Sequence, residues 1–199
     1  MSSERTLTAR GAARRSALLD AAADIVAGSG SGALTCRAVA STAAVSLASV
    51  TYHFASIEDL RRSMSERAVQ LVGDELARTV ADRPSGELPG LVADGVVALL
   101  AEHRSSVAVV QQTLLAAAHD SSARAVAHSF QQRVAALLAP AVGGGERGAA
   151  VAAALQGLVL AALADPGLAP DRLHASVLDL VDHMREERAP TRAERVPPS

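Results

Sequence analysis

The chain is almost without aromatic rings. It has no tryptophan, one tyrosine and two phenylalanines in 199 residues. Any core must therefore be filled by aliphatic side chains, and a stacking platform of several rings is excluded. Cys36 is the single cysteine, which excludes an internal disulfide and fits a reducing compartment. Lysine is also missing: all nineteen basic residues are arginine. No uninterrupted apolar stretch reaches the roughly 18–20 residues that a bilayer requires. The nearest, 149–164, is broken by Gln156 and Gly157 and ended by Asp165-Pro166. No apolar run follows the early arginines, so no signal peptide is expected and the expected location is cytoplasmic, with no membrane partner.

What is present is helical material. Hydrophobic residues make up 49 % of the chain, mostly Ala, Leu and Val, and Ala and Leu are strong helix formers. From Arg10 to Ala27, the side chains of Leu18, Leu19, Ala22, Ile25 and Val26 share one face at helical spacing. The Gly28–Gly32 run stops that helix. Thr35 is an N-cap for a helix over 36–42, and Ser46 for another over 47–53. Ser56-Ile57-Glu58-Asp59 reads as a capping-box start for a long helix whose apolar face is Leu60, Met64, Ala68, Leu71, Val72, Leu76 and Val80. Further helices are expected near 90–103, 105–119, 121–139 and 147–164. A last amphipathic stripe runs through Leu173, Val177, Leu180, Val181 and Met184. The expectation is an all-α chain of about nine helices. A disordered basic arm occupies 1–9, a head 10–56, a helical body 57–187 and a disordered tail 188–199.

Charge is unevenly spread. Net charge is −2, yet residues 1–62 carry seven arginines against five acids, and 63–199 carry twelve against sixteen. A mildly basic head on an acidic body fits a nucleic-acid-facing N-terminus, and it also fits a solvated arm.

Two short helices joined by Ala43-Ala44-Val45 and braced by a longer helix on each side describe a helix-turn-helix. The second short helix can enter the major groove. Its small side chains let the backbone approach the bases. Ser and Thr can bond bases or phosphates, and Leu and Ala can meet a thymine methyl. Tyr52 and Phe54, two of the three rings, flank His53. The phenol suits a phosphate, whereas Phe54 is expected to turn inward and pin the end of the helix. Val45 and Val50 are expected in a small core with Leu34, Val39 and Ile25.

Here the chain resembles the TetR family of transcriptional regulators. The resemblance rests on Arg14 to Ile25, on Leu34-Thr35-Cys36-Arg37-Ala38-Val39-Ala40, and on Val45 to Phe54 followed by Ser56-Ile57-Glu58-Asp59-Leu60. It covers about residues 10–62. It implies DNA contacts from Thr35, Arg37, Ser46, Leu47, Ala48, Ser49, Thr51, Tyr52 and His53. Two departures stand out: Ile57 replaces a usual basic residue beside a phosphate, and Ala44 replaces a common turn glycine.

The resemblance further implies a body that binds a small-molecule effector and forms a homodimer through its last two helices. The surplus of Leu, Val and Ala over 90–164 suits a mainly apolar effector. Leu99, His103, Gln111, Leu114, Phe130, Val134, Gln156 and Val159 are the residues expected to line its pocket. Val151, Leu155, Leu158, Leu173, Val177, Leu180, Val181 and Met184 are those expected at the dimer interface, with Gly157 allowing close approach. The implied function is a ligand-responsive repressor on a pseudo-palindromic operator.

No His, Cys or carboxylate pair has metal-ligand spacing. No nucleophile–base pattern occurs, and Gly143-Gly144-Gly145 lacks the Lys-Ser/Thr of a phosphate loop. No metal, cofactor or catalytic residue is expected, and the chain is not expected to be an enzyme. A helical protein–protein adaptor is the alternative, and an enzyme the weaker one.

Overall fold

A computed structural model describes residues 2–186 apart from 82, 85 and 166, with side chains from residue 10 onward. Nine α-helices and one short 3-10 turn follow one another among the described residues, with no strand. They are α1 (Ser2–Ser29), α2 (Cys36–Thr42), α3 (Leu47–His53), α4 (Ile57–Val80) and α5 (Leu88–Glu102). The series continues with α6 (Arg104–Ala116), α7 (Ser121–Val142), α8 (Gly145–Ala164) and α9 (Pro170–Glu186). The 3-10 turn, Ser31–Ala33, links α1 to α2.

Helix α1 begins at Ser2, so the segment expected to be a disordered arm has helical backbone instead. Residues 2–9 hold no proline or glycine to break it. The tail expected at 188–199 lies outside the described residues. Helix α7 runs through Pro140 to Val142, past the stop expected at 139. Gly143, at φ 85°, then closes it, donating to Ala139 O at 3.0 Å, as a left-handed C-terminal glycine does.

Contacts divide the chain into two compact units. The first holds the described residues up to Asp74 together with Leu99–Phe130. Its core is aliphatic: Leu18, Leu19, Ala22 and Val26 of α1 are buried, as are Val39, Val50, Leu60 and Met64. Ile25 and Val45 are only half-buried. Val26 takes the inward position instead, because it lies four residues after Ala22 and therefore on the same face. Polar ties join the helices of this unit. Arg67 of α4 bonds Asp20 of α1 at 2.7 Å and also Ser16. Ser105 of α6 donates to Asp24 at 2.8 Å. The hydroxyls of Thr113 and Ser65 lie 2.9 Å apart.

The second unit holds Glu75–Ala98 and the described residues from Gln131 on. Helices α8 and α9 pack together, and Arg147 of α8 donates to Met184 O of α9 at 2.9 Å. This packing corrects the expected dimer interface. Val151, Leu155, Leu173, Val177 and Val181 are all buried within the single chain. The most apolar stripe of each helix is used to close its own fold. Leu158, Leu180 and Met184 remain half-exposed, on an outward side. Gly157 is exposed, and within the chain a Cβ there would meet nothing within 4 Å. The close approach within the chain is at Gly148, where a Cβ would stand 2.4 Å from Ala135 O of α7.

Candidate nucleic-acid interface

Local hydrogen bonds set α2 and α3. The Thr35 hydroxyl oxygen accepts from Ala38 N at 3.1 Å, and the Ser46 hydroxyl oxygen accepts from Ser49 N at 3.2 Å. Each cap still has its own O–H to donate outward. Between the helices Ala44 takes φ 51°, the one positive φ outside glycine among the described residues. That left-handed turn strains an alanine. It lets Val45 N donate to Ala40 O at 2.9 Å and sets α3 across α2. Val39 and Val50, both fully buried, fix the inner faces.

The outer face then follows. Thr35, Arg37, Ser46, Leu47, Ala48, Thr51 and Tyr52 are exposed, and Ser49 and His53 are half-buried. None of the nine belongs to the core. Tyr52 is 84 % exposed and Leu47 41 %, and they are two of only four large apolar side chains that are exposed among the described residues. The Tyr52 ring stands edge-on to His53 with centroids 5.1 Å apart. The Thr51 hydroxyl lies 3.2 Å from Ala48 O and 3.4 Å from Leu47 O. Its proton is turned back onto its own helix, so it offers a methyl and a lone pair rather than a donor.

The sequence reading gave Arg15 no role of its own. Its guanidinium carbon sits 4.9 Å from the Phe54 ring centroid, and its Nη2 donates to Ser63 Oγ at 2.8 Å. A cation over a ring face is attractive, so Arg15 clamps the buried Phe54 between α1 and α4. A signal was available: Arg15 precedes Leu18 and Leu19 by three and four residues, on the inward face. The next corner is braced by Asp59. Its carboxylate accepts from Arg62 at 2.6 Å and from Ala55 N at 3.1 Å, while Asp59 N donates to Ser56 Oγ at 3.0 Å. The Arg62 bond, followed by that of the Ala55 amide, holds the carboxyl below its ordinary value. Ile57 is half-buried at this corner.

Comparison with known proteins bears on this geometry. Residues 18–64 match the family model described as bacterial regulatory proteins, tetR family. The crystal structure of the multidrug binding protein EbrR complexed with proflavin is 30 % identical, covering 86 % of this chain and 99 % of that one at a TM-score of 0.59. The chain belongs to the TetR family. A TetR-family member from Streptomyces coelicolor A3 is 29 % identical, covering 84 % of this chain and 97 % of that one at a TM-score of 0.66. A Rhodococcus sp. transcriptional regulator, at 20 % identity and a TM-score of 0.75 with coverage of 87 % and 96 %, shares the fold. No curated protein matches the chain. As a TetR-family protein it carries the regulatory helix-turn-helix in α2 and α3.

The residues expected to line a TetR-type effector pocket are scattered between the units. Leu99, Gln111, Phe130 and Val134 are buried, and His103, Leu114, Gln156 and Val159 are half-buried. The first five of the chain order, through Phe130, belong to the first unit, and the other three to the second. Among the described residues no three His, Cys, Asp or Glu side chains gather as a metal ion would need.

Proposed function

We propose that this chain is a ligand-responsive transcriptional repressor that binds a pseudo-palindromic operator as a homodimer. The observation that carries the reading is the exposed, doubly capped face of α3, with Leu47 and Tyr52 outward and Val50 and Phe54 buried behind it. Thr35, Arg37, Ser46 and Tyr52 serve phosphates, and Leu47, Ala48, Ser49 and Thr51 face base edges, with His53 beside the phenol. One such surface is small, and two-fold pairing doubles it. The outward side of α8 and α9 supports that pairing: Ala154, Leu158 and Leu180 line an open groove there, rimmed by Ser176, Asp179, Asp182, His183 and Glu186. Helix α8 is long and apolar enough to cross a membrane, though little of it is buried in the chain. A partner helix accounts for that apolar surface in a DNA-binding protein that works in the cytoplasm.

Mobility-shift titration against the gene's own upstream DNA tests the reading. Sequence-specific retention of a dimer is expected, and binding of one asymmetric half-site by a monomer would overturn it. Ile57→Lys sharpens the test. A restored phosphate contact should change the log–log salt slope by about 1, and an unchanged slope would mean residue 57 faces away from DNA.

The effector is small and mainly apolar, and releases DNA. EbrR has been crystallised with proflavin, ethidium and malachite green. Aromatic cations favour aromatic walls, and this chain has few to give: Tyr52 is on the exposed face of α3 and Phe54 is packed in the head, which leaves Phe130. The surplus of Leu, Val and Ala over 90–164 suits an acyl chain, a terpenoid or a lactone. DNA release by aliphatic compounds and not by those dyes is expected; the reverse result would overturn this part.

A further inference from the structure

The first unit contains a cleft of about 620 Å³ that none of the eight effector residues lines. Its walls come from the end of α1 and the 3-10 turn, the first turns of α4, the last turns of α6 and the start of α7. The floor is apolar and closed, since Val26, Met64 and Val109 are buried. Thr113 is buried there too, but its hydroxyl is already engaged with Val109 O at 2.8 Å and Ser65 at 2.9 Å. The volume is within the roughly 300–1,000 Å³ of small-molecule sites.

The charges at the mouth are unequal in availability. Arg62 is held by Asp59. Asp120 is occupied in capping α7: its carboxylate accepts from Ser122 N at 2.8 Å and Ala123 N at 3.3 Å. Arg61, half-buried at the wall, has no ion pair or hydrogen bond among the described residues. Glu58 is exposed at the rim, three residues before Arg61 on the same helix. It repels a second negative charge near that guanidinium.

We propose that this cleft is a binding site for an amphipathic monoanion: an aliphatic tail on the Val26–Met64–Val109 floor and one carboxylate on Arg61. The tail is aliphatic because the buried floor is Val26, Met64 and Val109, and the one ring in the lining, the exposed imidazole of His119, lies away from that floor. The head is an anion because the available cation is a guanidinium, whose fork matches a carboxylate. It carries a single charge because Glu58 stands beside it. None of the eight expected effector residues lines the site, and its ligand joins the head helices to α6 and α7.

The chain has no tryptophan, so Leu115→Trp at the exposed rim gives a reporter with no background. Octanoate should shift its fluorescence saturably. Octanol and octanedioate should bind at least tenfold more weakly. In the reporter chain Arg61→Met should weaken octanoate tenfold or more and leave octanol unchanged, while Arg61→Lys retains most of the affinity. Calorimetry of octanoate with the unsubstituted chain and with Arg61→Met alone guards against a tryptophan that blocks the mouth, and a circular-dichroism melt checks that the variant folds. Equal binding of all three probes, indifference to Arg61→Met, or no octanoate heat up to its solubility limit would overturn the proposal.

Discussion

Helix pairs α2–α3 and α8–α9 differ in what decides their outward faces. In α2–α3 each helix carries its own cap, and a buried valine opposes the exposed face. The assignment of inside and outside is made within about twenty residues. In α8 nearly every position is apolar enough to be buried, and the neighbours that arrive take Val151 and Leu155 there and Leu173, Val177 and Val181 from the apolar stripe of α9. A polar pattern announces its face, whereas a uniformly apolar helix leaves the choice to its neighbours.

The largest effect that tests the contrast is in the head. Phe54→Ala should destabilise by about 3–5 kcal/mol, because the ring is buried and carries the Arg15 clamp. Urea unfolding would measure it, and a loss below ~1 kcal/mol would mean that the corner is held otherwise. In the second unit the matched pair is Gly148→Ala against Gly157→Ala. The first forces a Cβ onto the backbone of α7 and should cost about 1–3 kcal/mol. The second adds a methyl in open space and should gain up to ~1 kcal/mol by helix propensity. Equal effects would mean that α7 and α8 do not approach as closely as described.

Smaller changes separate recognition from folding. Tyr52→Phe should leave the melting temperature alone and weaken operator binding by about 0.5–1.5 kcal/mol, roughly two- to twelve-fold. If it melts early and binds normally, Tyr52 and Phe54 have exchanged roles. Ala44→Gly relieves a left-handed alanine but loosens the unfolded chain, so a net gain of up to ~1 kcal/mol is expected in thermal unfolding. The least effect is that of acid. The Asp59 carboxyl is lowered in the folded chain, so its contribution is complete above the unfolded value of about 3.9. It is lost as pH falls through the lowered one. Asp59→Asn should flatten the acid limb of the stability curve and lower stability by a pH-independent amount between pH 6 and 8.

Much of the head was legible because its signals are local. Thr35, Ser46 and Ser56 each start a helix where a hydroxyl can accept from an amide three residues on, and the 36–42, 47–53 and 57–80 spans follow from them. Arg15 was not legible as a clamp, because a charge looks solvated until its ring partner, 39 positions later in sequence, is folded against it. The capacity of Ala44 for strain was visible in the turn, but its φ was not.

The sequence by itself determined an all-α chain, the boundaries of the short helices and the outward set from Thr35 to His53, since caps and periodicity act over three or four residues. Tertiary structure alone decided which apolar stripes of α8 and α9 close the chain and which stay open. It alone placed the close approach at Gly148 and left Arg61 over an apolar cleft between segments some eighty residues apart. Those outcomes depend on which surfaces meet, and burial is settled by the partner that covers a side chain rather than by the side chain itself.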